Sequence, residues 1–142
     1  MLYADTSALL AYYRAEAASA VVESLLLQQS QPVLISEPTR VEFASALARW
    51  VRMAEVTETQ ANQVESAFYE DVSAERFQVM SVTRAHYERA MHWQLMRRTG
   101  LRTLDALHLA CVEAREAQLL TLDDDLRAAA DFLGVPTHAL TT

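Results

Sequence analysis

Short apolar runs alternate along the chain with longer stretches in which apolar residues recur every three or four positions. A short apolar run bounded by polar residues is typical of a buried strand, whereas the longer recurrence is typical of a helix that packs on one side. The runs that predict strands cover residues 1–4, 32–36, 77–82 and 118–122, and residues 135–140 form a candidate edge strand.

The stretches between these runs predict helices. They cover residues 8–13, 17–29, 37–53, 57–68, 83–98, 102–115 and 124–133. Pro38 suits the first turn of its helix, and Gly134 suits the end of the last one. Strands that alternate with helices indicate a parallel sheet covered on both faces. We therefore expect one α/β domain over residues 1–142, with three layers (α/β/α) and a mainly parallel sheet of four to five strands.

Composition excludes several classes of enzyme. All 12 basic residues are arginine, so the lysine of a P-loop, of a pyridoxal Schiff base or of a receiver domain is absent. Only two glycines are present, which excludes a Gly-x-Gly-x-x-Gly dinucleotide loop. The single cysteine, Cys111, lies in an apolar stretch and is expected to be a buried hydrophobe. No apolar run approaches the roughly 20 residues that span a bilayer, so we expect a cytoplasmic protein without membrane contact.

The net charge of −7 argues against tight non-specific binding to nucleic acid, because affinity for phosphates depends on basic side chains. The excess of acids lies mostly on predicted solvated helix faces. Residues 97–102 (RRTGLR) form a local basic run, so a small basic patch is compatible with the overall charge.

Four acidic residues stand where a strand should turn into a helix or where a helix should begin: Asp5, Glu42, Asp105 and Asp123. In an α/β fold these positions meet at one edge of the sheet. Carboxylates gathered there repel one another unless a divalent cation neutralises them, and oxygen ligands favour Mg²⁺ or Mn²⁺. A metal-dependent reaction on a phosphate is the leading hypothesis, with Arg40 and Arg102 as candidates for holding flanking phosphates.

Each acid also has a structural alternative. Asp5 and Asp123 are suitable helix N-caps, and Glu42 completes a Thr-x-x-Glu capping box. Asp105 interrupts an apolar helix at a solvation cost, which an ion pair with Arg102 or His108 would relieve. The Asp123 to Asp125 triplet leaves the fourth acid uncertain by one position, Asp123 or Asp124.

Four segments together resemble the signatures of PIN-domain nucleases: DTSAL at residues 5–9, EPTRVEFASAL at 37–47, LRTLDALHLA at 101–110 and LLTLD at 119–123. Their order and spacing are similar to VapC-type toxins, ribonucleases that a cognate antitoxin holds inactive. The resemblance implies that the four acids bind Mg²⁺ or Mn²⁺, that Ser7 and Thr121 support them with hydroxyl groups, and that RNA is the substrate. Thr103-Leu104 departs from the family's usual small residue or proline before the third acid.

The resemblance also implies an antitoxin partner, whose apolar segment is expected in a groove between helices of residues 8–53 with a basic side chain aimed at the carboxylates. A homodimer is expected too, because relatives often form one and because Trp50, Tyr69 and Trp93 exceed what the core needs. The alternatives are a stand-alone nuclease in RNA processing and a PIN-like module that binds RNA or protein without cleavage. A haloacid-dehalogenase-like phosphatase requires a second aspartate at position 7, which is serine, and usually a lysine.

Overall fold

A computed structural model describes residues 1–14 and 17–140 of the chain. The strands are β1 (Leu2–Ala4), β2 (Val33–Ser36), β3 (Phe77–Met80) and β4 (Gln118–Leu120). The helices are α1 (Thr6–Tyr13), α2 (Ser19–Leu27), α3 (Glu37–Arg52), α4 (Glu58–Ser73), α5 (Arg84–Met96), α6 (Thr103–Ala114) and α7 (Asp124–Leu133). The four strands form one parallel sheet in the order β3-β2-β1-β4. The predicted alternation of strands and helices is therefore confirmed.

Alternate residues of the central strands enter opposite cores. Leu2, Ala4 and Ile35 pack with helices α1 to α4, while Tyr3 and Leu34 pack with helices α5 to α7. Successive side chains of a strand point to opposite faces of its sheet, so these short strands bury residues on both sides. The result is the expected three-layer α/β/α arrangement.

Two secondary-structure predictions need correction. Residues 135–140 do not form a fifth strand, and they contact the sheet through one parallel bridge between Leu119 and Thr137. Pro136 has no N–H group to donate to a ladder, which limits pairing on that side. Helix α4 continues to Ser73, five residues beyond the predicted end at Phe68.

The tryptophans also differ from the expectation. Trp50 and Trp93 are buried, with exposed fractions of 6% and 2%, and only Tyr69 of the three aromatics is exposed. The guanidinium groups of Arg14 and Arg89 cover the two indole rings, at 4.5 and 4.7 Å from the ring centroids. Cys111 is buried as predicted, and burial raises the pKa of its thiol to about 11. Within the described residues, no helix is long and apolar enough to span a membrane.

Candidate active site

Asp5 lies directly after β1, one of the two central strands, and is almost completely buried. Its Oδ1 atom accepts hydrogen bonds from the Ser7 hydroxyl (2.7 Å) and from the backbone N–H of Ala8 (3.0 Å), so Asp5 caps α1. Its Oδ2 atom accepts a bond from the Thr121 hydroxyl at 2.5 Å. Burial raises the pKa of Asp5, and these hydrogen bonds lower it only in part. The helix-capping alternative is therefore correct, but the capping hydrogen bonds do not fully offset the cost of burying the negative charge of Asp5.

Ser7 and Thr121 connect this carboxylate to the neighbouring strand. Each hydroxyl donates to Asp5 and accepts a backbone N–H from the segment after β4: Ser7 from Leu122 at 2.9 Å and Thr121 from Asp123 at 3.0 Å. Of the four acids, both hydroxyls donate to Asp5. They tie the ends of β1 and β4 together and fix the orientation of Asp5.

Glu42 lies on α3 and faces the same sheet edge. The capping box of α3 is formed by Ser36 and Thr39, so the proposed capping role of Glu42 is wrong. The Oε1 atom of Glu42 instead accepts hydrogen bonds from the Thr6 hydroxyl (2.8 Å) and from Nε2 of His108 (2.6 Å). Burial acts to raise the pKa of Glu42, but the hydrogen bonds and the electrostatic attraction of His108 outweigh it and lower the pKa.

A buried hydrogen-bond chain extends from Glu42 into the sheet. Nδ1 of His108 lies 2.5 Å from the Tyr3 hydroxyl, which lies 2.8 Å from the Ser36 hydroxyl. Tyr3, Ser36 and His108 have exposed fractions of 1% or less. From the sequence, His108 was expected only as an ion-pair partner of Asp105, and neither Tyr3 nor Thr6 was predicted to contact the site. A polar residue inside the apolar helix 104–112 was the available signal, because a buried imidazole needs partners.

Asp105 lies in the first turn of α6 and is half-buried. Among the described residues it forms neither a hydrogen bond nor an ion pair, so the structural alternative of an ion pair with Arg102 or His108 is wrong. Burial is the largest cause that raises the pKa of Asp105, and His108 lowers it in part. The negative charges of three further acids raise it again: Asp123, Glu42 and Asp5. Asp105 therefore lies among like charges that His108 offsets only in part.

The acidic triplet divides between two environments. Oδ1 of Asp123 caps α7 by accepting the N–H groups of Asp125 (2.9 Å) and Leu126 (3.1 Å), while its charge acts on Asp105. Asp124 is 92% exposed at its side chain and pairs with Arg127 at 2.9 Å. The geometry thus brings Asp123, rather than Asp124, to the other acids.

The two candidate arginines differ in their surroundings. Arg40 is exposed and pairs with Glu37 at 3.2 Å along α3. Arg102 is exposed at the start of α6, and it lines the same groove as Asp105 and Asp123. Arg102 is therefore beside the acids and free to bind an anion, whereas Arg40 would first have to leave Glu37.

The acids fit a hard divalent cation in type and in charge, because all four offer carboxylate oxygens and Asp105 forms no ion pair with any residue in 1–14 or 17–140. In the part of the chain that the structure describes, no three His, Cys, Asp or Glu side chains are arranged closely enough to hold one ion. The oxygens of Asp5 and Oε1 of Glu42 are turned toward hydrogen-bond donors. Cation binding would therefore have to draw the carboxylates toward one another.

The fold and the site define an α/β domain in which acids from four separated segments meet at the carboxyl edge of a parallel sheet. A model of the PIN domain matches residues 2–132, and the chain belongs to the PIN domain family. This membership removes the haloacid-dehalogenase-like alternative. No curated protein sequence matches the chain at a significant level.

Three solved structures are similar to the chain in fold. The Mycobacterium tuberculosis VapC20, described as a sarcin-ricin loop cleaving toxin, aligns with a TM-score of 0.69 and 20% identity over 91% of this chain and 95% of its own. A toxin-antitoxin complex from Klebsiella pneumoniae aligns with a TM-score of 0.66 and 17% identity, over 99% of this chain and 98% of its own. FitAcB from Neisseria gonorrhoeae aligns with a TM-score of 0.71 and 16% identity, over 98% of this chain and 97% of its own. At these low identities, the structural alignments show a shared fold and no more than that.

Proposed function

We propose that the chain is a metal-dependent endoribonuclease that hydrolyses RNA phosphodiester bonds and acts as the toxin of a toxin–antitoxin pair in the cytoplasm. PIN nucleases generally use divalent metal ions. The observation that carries the proposal is the gathering of the four acids along one edge of the sheet, where burial and the charges of Asp123, Glu42 and Asp5 raise the pKa of Asp105. Mutual repulsion of this kind is tolerated at a site that a cation and a substrate complete.

The chain's residues would act in distinct ways. Asp5 and Asp105 would hold Mg²⁺ or Mn²⁺, with Glu42 and Asp123 completing the ligand set or orienting water. The cation would supply charge neutralisation at the phosphate and a lower pKa for the attacking water. Ser7 and Thr121 keep Asp5 oriented, and His108 and Thr6 keep Glu42 ionised and aimed at the same place. Arg102, and Arg40 once released from Glu37, would bind flanking phosphates.

The toxin assignment draws on two of the similar structures, one described as a sarcin-ricin loop cleaving toxin and one as a toxin–antitoxin complex. A groove of about 850 Å³ between α3 and α4 supports an antitoxin partner. Phe43, Leu47 and Phe68 form its apolar floor, and arginines and glutamates border it. The sequence predicted the antitoxin groove between helices of residues 8–53. Helix α3 lies within that range, whereas α4 lies beyond it.

A homodimer remains part of the proposal, but its interface is formed by other residues than Trp50, Tyr69 and Trp93, which were considered from the sequence. The exposed face of α5 carries Tyr87, Met91 and Leu95, which are 55%, 57% and 62% exposed. Their spacing of four residues makes one apolar stripe along the helix. A second copy of the chain would bury this stripe.

The nuclease proposal is tested by cleavage of a stem-loop RNA and an unstructured RNA with Mn²⁺, with and without EDTA. We expect cleavage that EDTA abolishes, and loss of cleavage in Asp5→Asn and Asp105→Asn. Asp124→Asn is the matched control, because its exposed carboxylate pairs with Arg127 away from the other acids, and it should cleave like the wild type. Equal turnover by all three variants would refute the site, and binding without cleavage would favour the non-catalytic module.

A further inference from the structure

The groove beside the acids has two unlike walls. It has a volume of about 620 Å³ and lies between the α5–α6 loop, residues 97–102, and the face of α7. Arg98 and Arg102 belong to the first wall, and Asp125 and Phe132 belong to the second. Asp105 and Asp123 also line the groove, so it opens directly onto the proposed reaction site.

The loop wall presents positive charge that the chain itself leaves uncompensated. Arg98 and Arg102 are exposed, and neither forms an ion pair with any residue in 1–14 or 17–140. The loop is held in place because Gln94 donates a hydrogen bond to the Leu101 carbonyl at 3.0 Å. In a chain of net charge −7, these two guanidinium groups give the loop wall a local positive charge.

The α7 wall presents an aromatic surface beside small residues. Phe132 is 62% exposed, although it lies on an amphipathic helix whose apolar residues are otherwise mostly buried. Asp125 and Phe132 are seven residues apart and share one helix face, with Ala128 and Ala129 between them. Two alanines leave room above the helix, so a flat ring can lie against Phe132 without displacing a side chain.

We propose that this groove is a nucleotide subsite that takes one residue of single-stranded RNA next to the bond to be cut. Its base stacks on Phe132, and its phosphates contact Arg98 and Arg102. The carboxylates of Asp123 and Asp125 repel phosphate, which places the backbone on the loop side and the base on the α7 side. Stacking on an aromatic ring accepts any base, so the subsite adds affinity rather than a sequence code. This inference rests on the proposed ribonuclease function and specifies how that site holds its substrate.

The test is binding of a fluorescein-labelled ten-nucleotide oligoadenylate, measured by anisotropy in EDTA so that no cleavage occurs. We expect Phe132→Leu to weaken binding by about 5- to 100-fold, and Phe132→Trp to restore it. Arg98→Gln and Arg102→Gln should each weaken binding and reduce the slope of log affinity against log salt by about 0.7. Thermal unfolding checks that these exposed substitutions leave the fold intact.

Two matched controls lie outside the groove. Tyr69→Leu removes an exposed aromatic from α4, and Arg115→Gln removes an exposed, unpaired arginine about 15 Å along α6 from Asp105. Both should bind like the wild type. If Phe132→Leu binds no more weakly than Tyr69→Leu, the subsite is refuted.

Cleavage separates this proposal from the function on which it rests. Wild-type and Phe132→Leu chains are compared on the same RNA with Mn²⁺, and the subsite predicts a higher KM for the variant. If both cleave with equal KM, the nuclease function is supported and the subsite is refuted. If the wild type neither binds nor cleaves RNA, both proposals are refuted.

Discussion

Nε2 of His108 lies 2.6 Å from Oε1 of Glu42, joining α6 to α3 across 66 residues of sequence. The carboxylate can only accept, so His108 donates through Nε2, and its Nδ1 atom is left to the Tyr3 hydroxyl. Tyr3 reaches Ser36 in turn, so one buried chain of hydrogen bonds links strands β1 and β2 to an acid of the proposed site. The orientation of Glu42 is therefore determined by residues in the core of the sheet.

Tyr3→Phe tests this chain of hydrogen bonds. The substitution keeps the ring but leaves Nδ1 of His108 and the Ser36 hydroxyl without the Tyr3 partner, both in buried positions. We expect the free energy of unfolding to fall by about 1–3 kcal/mol in urea titrations. Tyr69→Phe, at an exposed position on α4, is the control and should change it by less than about 0.5 kcal/mol. An equal midpoint for Tyr3→Phe and the wild type would show that the chain contributes nothing to stability.

Asp105→Asn is expected to stabilise the protein in EDTA at neutral pH. Burial, together with the nearby acids, holds the folded-state pKa of Asp105 above the ordinary aspartate value of 3.8, so ionisation favours the unfolded state. The wild type should therefore lose stability as pH rises through that folded-state pKa, and the advantage of Asp105→Asn should shrink as pH falls toward 3.8. Thermal unfolding measured from about pH 4 to about pH 8, which begins near the ordinary pKa of an aspartate, follows this loss.

The same variant should respond differently to metal. Mn²⁺ should raise the melting temperature of the wild type and have little effect on Asp105→Asn, because a ligand stabilises the state that binds it. Asp124→Asn should behave like the wild type in both experiments. A pH-independent difference between wild type and Asp105→Asn would show that the buried charge of Asp105 and its repulsion by the other acids are not the cause.

Local patterns were sufficient to predict most of the fold. Each strand is a short apolar run because both faces of the sheet are covered, and Asp5 and Asp123 follow β1 and β4 because a strand that turns into a helix needs an N-cap. The same reasoning was wrong for a segment whose conformation depends on its tertiary contacts. Residues 135–140 are apolar enough for a strand, but Pro136 and a single bridge at Thr137 keep them out of the sheet.

The interior of the site was less predictable. Tyr3, Ser36 and His108 belong to three elements, and nothing in the local sequence of any one indicates that their polar atoms meet. Trp50 and Trp93 were expected at the surface because large aromatics seemed to exceed the core. Helices α3 and α5 instead turn these rings inward under the guanidinium groups of Arg14 and Arg89. Which face of an amphipathic helix is buried depends on neighbours that are distant in sequence.

Light scattering at micromolar concentration tests the homodimer. The wild type should have about twice the 15.9 kDa mass of one chain, and Met91→Glu should return the single-chain mass because a buried charge opposes association. Leu27→Glu, at another exposed apolar position, should leave the wild-type mass unchanged. A wild-type mass near 15.9 kDa would count against the dimer on any surface.

Ala44→Glu tests the groove between α3 and α4 as the antitoxin site. Ala44 is exposed and lines this groove, and glutamate is nearly as good a helix former as alanine, so the fold and the acids should be unaffected. We expect the variant to cleave RNA and to inhibit growth even when the small protein encoded by a neighbouring gene is co-expressed, because a charge is placed in an apolar contact. Ala114→Glu, exposed at the end of α6, should still be neutralised by that protein. If Ala44→Glu also co-purifies with the small protein, the partner binds elsewhere. If the wild type does not inhibit growth when the small protein is absent, the stand-alone nuclease becomes the better interpretation.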